Sequence, residues 1–496
     1  MAINAQSVPM RWTWQDPSLL ALVQGTPINC LVISWASGTP ADAAQQQAMK
    51  PVIEAGKKAG LDFVGLVEGS ADKSAAIASA KAAGLSAVAM DAPPAGNAGI
   101  PVIAWGKSGD ALWQASSAVV GIADGFWPSV PQEKTPTGGP TNLPWVDSNG
   151  ALLAMARALA PGKAFWIVGD PPAPAPPAAG RGGPGGPPEG ARGGGRGGPV
   201  SNTAPDNYAL AVADSATYGG RWVITLDPQT AAGLASKAAP GMEVWKKITD
   251  TVAYFEQDKV TKTYERAGRL AVMSNFTGAD RFLGEESLNL LPRLREPYRV
   301  IARSQSLNAS FTGLEGIFYV DQEAPEAKLR AKLMAFVNAG GTLFVRAKWP
   351  NPEGTPAQLS TAETYLLFNV RTVGRGRLAV AKTDDLDAYF TCADVQNILS
   401  HKGDPLRLYN GASMNYSFQV AAQGKQGAIH VLNYTRRPSG DQVVLFVKSP
   451  FKTARFVSPE LAAPVALQWV IQEAGAGGAE LVLPRFNVYG AVQMEN

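Results

Sequence analysis

The sequence predicts an α/β protein made of a (β/α)8 TIM-like barrel, a small Rossmann-like α/β domain and a C-terminal antiparallel β-sandwich. Three observations support this order. Up to about residue 260, short apolar runs alternate with Ala-rich helical patterns; a β-α-β pattern follows; and the last part carries closely spaced runs of alternating polarity. We place the barrel at residues 1–262, the α/β domain at 263–403 and the sandwich at 404–496.

Eight nearly continuous apolar runs predict the barrel strands, because a parallel strand is buried on both faces and has no polar side. They are residues 28–35, 63–68, 87–91, 102–105, 118–124, 164–170, 208–214 and 222–227. Residues 41–59, 71–83 and 242–264 predict helices. A doubly wound open sheet is the alternative, since the spacing of the runs becomes irregular after the fourth.

Residues 171–206 interrupt the barrel pattern with a Gly/Pro-rich loop. Twenty of the 30 positions from 171 to 200 are Gly or Pro, a composition that cannot bury a core. The loop follows the predicted sixth strand and should rise from the C-terminal rim of the barrel. Two interpretations stay open: a lid over a site at that rim, or an inert insertion.

The second and third units have shorter patterns. Strands are predicted at residues 270–276, 298–304, 316–321 and 342–346, with an amphipathic helix at 324–339. The sandwich strands are predicted at residues 416–420, 427–433, 442–448, 465–472 and 480–483. Short strands at this spacing are typical of an antiparallel sandwich.

Composition excludes several classes of function. No run of about 18 apolar residues occurs, so no membrane-spanning helix is expected. The formal net charge is only +3, so nucleic acid is not an expected partner. The two Cys lie far apart and no zinc-ligand spacing occurs, so we expect no disulfide framework, no metal and no cofactor.

Localisation and assembly stay open at this point. The first residues lack the basic and apolar regions of a signal peptide. The protein is therefore expected in the cytoplasm, or outside it if a signal peptide has been removed. A homo-oligomer is one option for its assembly.

Six of the eight predicted strands end in a carboxylate, at the face where barrels carry their active sites. These acids are Glu68, Asp91, Asp124, Asp170, Asp214 and Asp227. Cleavage of a glycosidic bond needs two carboxylates, of which one is protonated and donates to the leaving oxygen while the other is ionised. This chemistry needs no His, Cys, metal or cofactor. The alternative for each acid is a helix cap.

Glu68, Asp91 and Asp214 are the predicted catalytic residues. Glu68 and Asp91 end neighbouring predicted strands, and Asp214 is placed across the barrel. Glu68 follows Leu66 and Val67, and apolar surroundings favour a protonated carboxyl group, so it is the predicted proton donor. Asp91 or Asp214 is the predicted ionised partner.

Aromatic and polar residues near the same face predict a carbohydrate-binding surface, because flat rings suit sugar rings and polar side chains bind their hydroxyls. The predicted set is Trp35, Trp105, Asp124, Trp127, Trp145, Asp147, Asn149 and Tyr218. Asp147 or Asn149 is alternatively the N-cap of the helix that follows.

The order of domains resembles the three-domain architecture of the family 42 β-galactosidases. The segment Gly316-Ile-Phe-Tyr-Val-Asp321, the following helix and Gly341-Thr-Leu-Phe-Val345 are similar to the core of a glutamine amidotransferase-like domain. The segments 427–435 and 483–489 resemble sandwich strands of bacterial glycosidases. The resemblance implies a barrel, an amidotransferase-like domain without its Cys nucleophile, and a sandwich.

The catalytic pair of that family does not carry over. The family has a Glu after the fourth strand and another after the seventh. Here the predicted fourth strand ends Ile103-Ala-Trp105-Gly-Lys107, without an acid, and the predicted seventh ends in Asp214. The resemblance therefore implies a divergent glycosidase-like protein, and galactosidase activity does not carry over with it.

The sequence thus predicts a glycoside hydrolase that acts on an oligo- or polysaccharide with a pair of carboxylates at the C-terminal face of the barrel. The alternative is a non-catalytic glycan-binding or scaffold protein on a degenerate glycosidase barrel. Another barrel enzyme, such as a lyase or isomerase, is a third option.

Overall fold

The structure is a computed structural model. It describes residues 3–93, 98–129, 146–172, 204–258, 261–358, 365–400, 403–411, 413–435, 439, 442–448, 451–471 and 478–496. The predicted Gly/Pro-rich loop lies outside these ranges, except at its two ends. Within the described ranges, none of the helices combines the length and the hydrophobicity that crossing a bilayer requires.

The first part of the chain folds into a parallel barrel of eight strands that follow one another in sequence order. The strands are β1 (Pro9–Arg11), β2 (Cys30–Ala36), β3 (Asp62–Val67), β4 (Ala87–Met90), β5 (Val102–Gly106), β6 (Val119–Ile122), β7 (Ala164–Ile167) and β8 (Arg221–Trp222). A parallel bridge between Met10 and Ile224 closes the sheet. In it, Arg11 N donates to Ile224 O at 2.8 Å, and Ile224 N donates to Pro9 O at 3.1 Å.

The helices of the barrel are uneven in length. They are α1 (Asp42–Lys58), α2 (Lys73–Ala82), α3 (Asp110–Gln114), α4 (Gly150–Leu159), α5 (Pro205–Thr217), α6 (Pro228–Ala235) and α7 (Ala239–Gln257), with a 3-10 turn over Pro17–Leu22 after β1. Among the described residues, no helix joins β4 to β5. This gap precedes β5, whereas the spacing of the apolar runs becomes irregular only after the run that forms β5.

Side chains of the barrel strands alternate between two cores, as the pleat of a strand requires. The inward set fills the barrel and consists of Cys30, Val32, Val64, Leu66, Ala87, Ala89, Ile103, Trp105, Val119, Trp166, Val168 and Val223. The outward set, which includes Met10, Ile33, Phe63 and Ile122, packs against the helices. The barrel is thus a filled core and not a channel.

One strand assignment made from the sequence is wrong and one strand was missed, although the fold class is confirmed. Residues 208–214 belong to helix α5, which begins with Pro205 and carries Asp206 in its first turn. The missed strand is β1. Only three residues form it, too few to show as an apolar run in the sequence. A continuous apolar run does not by itself distinguish a buried strand from a buried helix.

The second sheet has seven strands in the order β11-β10-β12-β13-β16-β15-β14. They are β10 (Leu270–Ser274), β11 (Tyr298–Ala302), β12 (Gly316–Tyr319), β13 (Thr342–Val345), β14 (Thr355–Pro356), β15 (Phe368–Val373) and β16 (Gly376–Ala381), with helices α8 (Asp280–Arg293), α9 (Ala327–Asn338) and α10 (Ala388–Leu399). Five strands are parallel, and β15 and β14 add an antiparallel edge. This is the predicted Rossmann-like unit.

The C-terminal sandwich consists of two antiparallel sheets. One contains β17 (Leu406–Tyr409), β20 (Val444–Val447), β23 (Val470–Ile471) and β24 (Ala479–Val482); the other contains β18 (Met414–Val420), β19 (Gln426–Asn433), β21 (Thr453–Val457), β22 (Val465–Leu467), β25 (Tyr489–Glu495) and β9 (Glu265–Arg266). β9 comes from the start of the second unit and pairs with β18. The domain boundaries at 262 and 403 therefore stay predictions.

A buried ion network fastens the second sheet to the sandwich. Arg269, at the start of β10, donates to both oxygens of Glu296 at 3.0 and 2.8 Å. The same guanidinium donates to Asp404 at 2.7 Å, just before β17. The side chains of Arg269, Glu296 and Asp404 are 4%, 1% and 6% exposed, so none of these charges is solvated by bulk water.

We expect Arg269→Met to destabilise the junction strongly, because it leaves the buried Glu296 carboxylate without its cation and Asp404 with Arg407 alone. Breaking a buried pair costs about 3–5 kcal/mol. The matched control is Lys246→Met, which removes an exposed pair with Asp250 and should cost about 0–1 kcal/mol. Chemical denaturation of the full chain measures both variants, and equal losses would contradict the assigned role of the network.

Candidate active site

The C-terminal mouth of the barrel presents one inward side chain from each strand. Each lies two residues beyond the last buried inward position of its strand, so it keeps the inward direction. These mouth residues are Arg11, Ser34, Glu68, Asp91, Lys107, Ala123, Asp170 and Thr225. All are exposed or partly exposed, whereas the layer below them is buried. At this end of the barrel, polar chemistry is therefore confined to this one layer.

Arg11 lies between two carboxylates of the mouth. Its Nη2 is 3.9 Å from Glu68 Oε1, and its Nη1 is 3.9 Å from Asp170 Oδ1. Both distances exceed a hydrogen bond, so the attraction is Coulombic and loose. The carboxylate side chains are 54% and 61% exposed, which leaves them open to a ligand. Glu68 therefore lacks the apolar surroundings that the sequence suggested.

Asp91 lies beside a different cation. Lys73, the first residue of α2, places its Nζ 3.0 Å from Asp91 Oδ1 and donates to the Asp91 carbonyl at 2.8 Å. Helix α2 begins here because Asp72 accepts from Ser74 N and Ala75 N as its N-cap. The Asp91 carboxylate thus leans toward the rim of the mouth, and its side chain is 58% exposed.

Asp124 organises the loop after β5. It accepts from Ser108 N and Ser108 Oγ, both at 2.8 Å. Arg281 of α8 donates to the same serine, at 2.9 Å to its Oγ and 3.2 Å to its carbonyl. Asp124 therefore stands where the second domain meets the barrel rim.

Asp227 is the N-cap of α6 and also binds the hydroxyl of Tyr208.

The predicted aromatic set is only partly at the mouth. Trp105 points into the barrel beside Gly121 and forms the floor beneath the mouth residues. Trp35 points outward and donates from Nε1 to Ser79 of α2 at 2.9 Å. The prediction that it lies on the rim of the mouth is therefore wrong. Trp127 packs edge-on against Tyr208 and Trp222. Trp145 lies outside the described residues.

Asp214 does not lie at the mouth. It lies on α5 and is completely buried, where Asn149 N and Nδ2 donate to its Oδ2 at 2.9 and 2.8 Å and the Tyr434 hydroxyl donates to its Oδ1 at 2.6 Å. The sequence placed it at a strand end because its segment was taken for a strand. In the structure Asp214 ties the barrel to the sandwich.

The other predicted polar residues also have structural partners. Asn149 exchanges two hydrogen bonds with the backbone of Phe126, whose ring is 49% exposed. Asp147 pairs through its backbone with Ser129. Tyr218 is buried at the end of α5, where it packs against Gly150 and Arg266. These contacts fit positioning roles better than direct contact with a sugar.

Sequence reasoning missed Arg11, the one group that brings two mouth carboxylates together. A signal for it was present. Met10, Trp12 and Trp14 alternate with Arg11 and Thr13, which is the period of a strand. Across the described residues, no cluster of three or more His, Cys, Asp or Glu could hold a metal ion.

Comparison with known proteins gives matches of fold only. No protein-family model matches the sequence, and no curated protein matches it. The α-L-fucosidase isoenzyme 2 from Paenibacillus thiaminolyticus aligns over 99% of this chain and 100% of its own, with a TM-score of 0.58 and 10% identity. At that identity the likeness establishes a shared fold along the whole chain, in agreement with the predicted architecture.

Two further solved structures score lower. The β-galactosidase from Bacillus circulans sp. alkalophilus aligns over 92% of this chain and 68% of its own, with a TM-score of 0.44 and 8% identity. The exo-β-1,4-mannosidase Op5Man5 from Opitutaceae bacterium strain TAV5 aligns over 77% and 94%, with a TM-score of 0.46 and 12% identity.

Asp214 yields a prediction for stability against pH. Burial raises the pKa of Asp214 to about 6, although the hydrogen bonds from Tyr434 and Asn149 act to lower it. The folded chain therefore holds this proton more tightly than the unfolded chain, where the pKa of Asp is about 3.9. Its contribution to stability is full below about pH 4 and is lost as the pH rises through about 6.

The loss should be on the order of 3 kcal/mol. Denaturation midpoints between pH 4 and pH 7 measure it in wild type and in Asp214→Asn, which cannot titrate and should lack this fall. Asp250→Asn, at an exposed carboxylate on α7, is the control and should keep it. A wild-type curve parallel to that of Asp214→Asn would contradict the assignment.

Proposed function

We propose that this protein is a glycoside hydrolase that acts on an oligo- or polysaccharide at the C-terminal mouth of the barrel. The observation that carries the proposal is the arrangement of Glu68 and Asp170 on either side of Arg11, with Asp91 on the strand next to Glu68. Glycosidic cleavage needs two carboxylates that reach the same bond. Asp170 therefore replaces Asp214 as the third candidate catalytic acid, beside Glu68 and Asp91.

The floor and rim of the mouth support a carbohydrate ligand. Trp105 closes the bottom, and the half-exposed ring of Phe126 follows β6, where Asn149 holds its backbone on both sides. An apolar floor with a few convergent polar groups is the usual make-up of a small-molecule site. Lys107 and Ser34 add donors in the same layer.

Two carboxylate pairs are available, and they imply different chemistry. Glu68 and Asp91 end adjacent strands, whose backbones lie about 4.8 Å apart. A separation of about 5–5.5 Å between the two carboxyl groups suits a covalent intermediate and retention of configuration. Glu68 and Asp170 have a guanidinium between them and lie at most about 10 Å apart. A separation of about 6.5–9.5 Å leaves room for water and gives inversion.

We assign Glu68 and Asp91 as the working pair and Asp170 as the alternative partner of Glu68. We give Glu68, the acid beside Arg11, the role of nucleophile. Asp91 is then the proton donor, which requires that a bound substrate separates it from Lys73. This reverses the roles that the sequence suggested for the two acids.

One observation favours the second candidate, a glycan-binding protein without hydrolysis. Glu68, Asp91 and Asp170 each have a cation within 3.9 Å, and each is more than half exposed. A proton donor needs surroundings that keep it neutral, such as apolar burial. A mouth that holds only ionised acids would bind sugar hydroxyls without transferring a proton.

We expect Glu68→Gln and Asp91→Asn each to lower kcat by about 10²–10⁴-fold, since general acid catalysis alone is worth that much. Both side chains are exposed, so the thermal midpoint should change little. The assay uses aryl glycosides and oligosaccharides of several sugars. Asp250→Asn, which removes an exposed carboxylate paired with Lys246, is the control and should keep full activity.

Activity that survives in both mouth variants would contradict the assignment of the pair. A wild type that binds oligosaccharides in calorimetry and hydrolyses none of them would establish the glycan-binding function instead.

The anomer formed first should distinguish the two pairs. Proton NMR at early times should detect the retained anomer, and Asp91→Asn should lose more activity than Asp170→Asn. An inverted anomer, together with the larger loss in Asp170→Asn, would transfer the partner role to Asp170.

A further inference from the structure

A cavity of about 490 Å³ lies at the opposite end of the barrel from the mouth. It is bounded by the starts of β7 and β8, the ends of α4, α5 and α7, and the outer face of the sandwich. Its volume falls within the range of about 300–1,000 Å³ that small-molecule sites occupy. None of the residues proposed for catalysis lines this cavity.

Two residues that line this cavity carry a buried polar atom without a hydrogen-bond partner among the described residues. The atoms are His430 Nε2 on β19 and Thr217 Oγ1 at the end of α5. The two residues are 4% and 3% exposed. An unpaired buried polar group destabilises the folded protein, so a ligand that pairs with these atoms gains affinity.

The opposite nitrogen of His430 is already engaged. Nδ1 lies 2.7 Å from the Tyr489 hydroxyl. Burial lowers the pKa of His430 to about 4, so the ring is neutral at pH 7. A neutral imidazole has one donor and one acceptor, and Nε2 offers a ligand the role that Nδ1 leaves open.

The rim of the cavity is cationic. Four cationic and two carboxylate side chains line it. Arg221 and Lys262 share Glu256, whereas Arg157 is exposed and has no acceptor within hydrogen-bonding or ion-pair distance in the described ranges. The guanidinium lies against Gly219: a Cβ there would lie 1.9 Å from Arg157 Nη1, so a larger residue would displace the arginine side chain.

The walls between rim and floor are apolar. Phe165, Val212, Val252 and Phe255 are buried and face this space. An apolar body can therefore be covered while a charged end stays at the rim, and displacement of water from the walls adds to its affinity.

The geometry points to a second binding site in this cavity, for a small organic anion whose apolar body lies between α5, α7 and the sandwich and whose anionic group binds Arg157. His430 Nε2 and Thr217 Oγ1 bind polar atoms on the body of the same ligand. A neutral analogue has no partner for Arg157, and a cationic one is repelled by it.

The test is a fluorine NMR titration of the full chain with 4-fluorobenzoate. Its neutral counterpart is 4-fluorobenzyl alcohol, and its cationic counterpart is 4-fluorobenzylamine. We expect benzoate to bind at millimolar concentration and about tenfold more tightly than the alcohol, because a charge-assisted hydrogen bond is worth that ratio. The amine should not bind.

Variants locate the site. Arg157→Met should weaken benzoate binding about tenfold and leave the alcohol unchanged. Arg375→Met removes an exposed arginine of the second sheet, and Glu68→Gln changes the mouth; neither should affect the titration. Thr217→Leu, which fills the floor, should weaken both benzoate and the alcohol.

Three results would overturn the inference: equal affinity for benzoate and the alcohol, no line broadening by benzoate at millimolar concentration, or an equal loss in Arg375→Met and Arg157→Met. A loss in Glu68→Gln alone would place the anion at the mouth and also refute it. None of these outcomes depends on hydrolysis, so the binding test and the glycosidase assay can fail independently of each other.

Discussion

Closure of the barrel between β1 and the residues after β8 holds all eight strands in one register, so side chains must alternate between the interior and the helix layer. The lower interior layers are filled by Val, Ala and Trp side chains and exclude water. At the C-terminal end of the barrel, charged groups occur in the uppermost layer. Arg11 can reach acids on β3 and β7, two strands away on either side, because all three side chains belong to that layer.

Much of the fold could be predicted from periodicity, and the errors have one cause. Helix α5 is buried nearly all round, from Asn207 to Val212 and beyond, because it lies between the barrel and the sandwich. A helix without a polar face has the same run of apolar residues as a buried strand. β1 shows the opposite difficulty: three residues, one of them proline, are too few for a run.

The acids at the mouth could be found because strand ends are visible in a sequence, as Glu68, Asp91 and Asp170 show. The direction of Trp35 was missed, although the alternation that turns Val32 and Ser34 inward also turns Trp35 outward, toward Ser79 of α2. The partners of Asp214 were hidden for another reason: Tyr434 lies 220 residues away in the chain. Contacts at such distance leave no local pattern.

The position of β9 has a consequence for the order in which the molecule can assemble during synthesis. β9 (Glu265–Arg266) leaves the ribosome about 150 residues before β18 (Met414–Val420), the strand that it pairs with. The nascent chain can complete its barrel and second sheet while the segment that joins them still has an open edge. When the sandwich folds, β18 pairs with β9, and this pairing fixes how the two earlier units are joined.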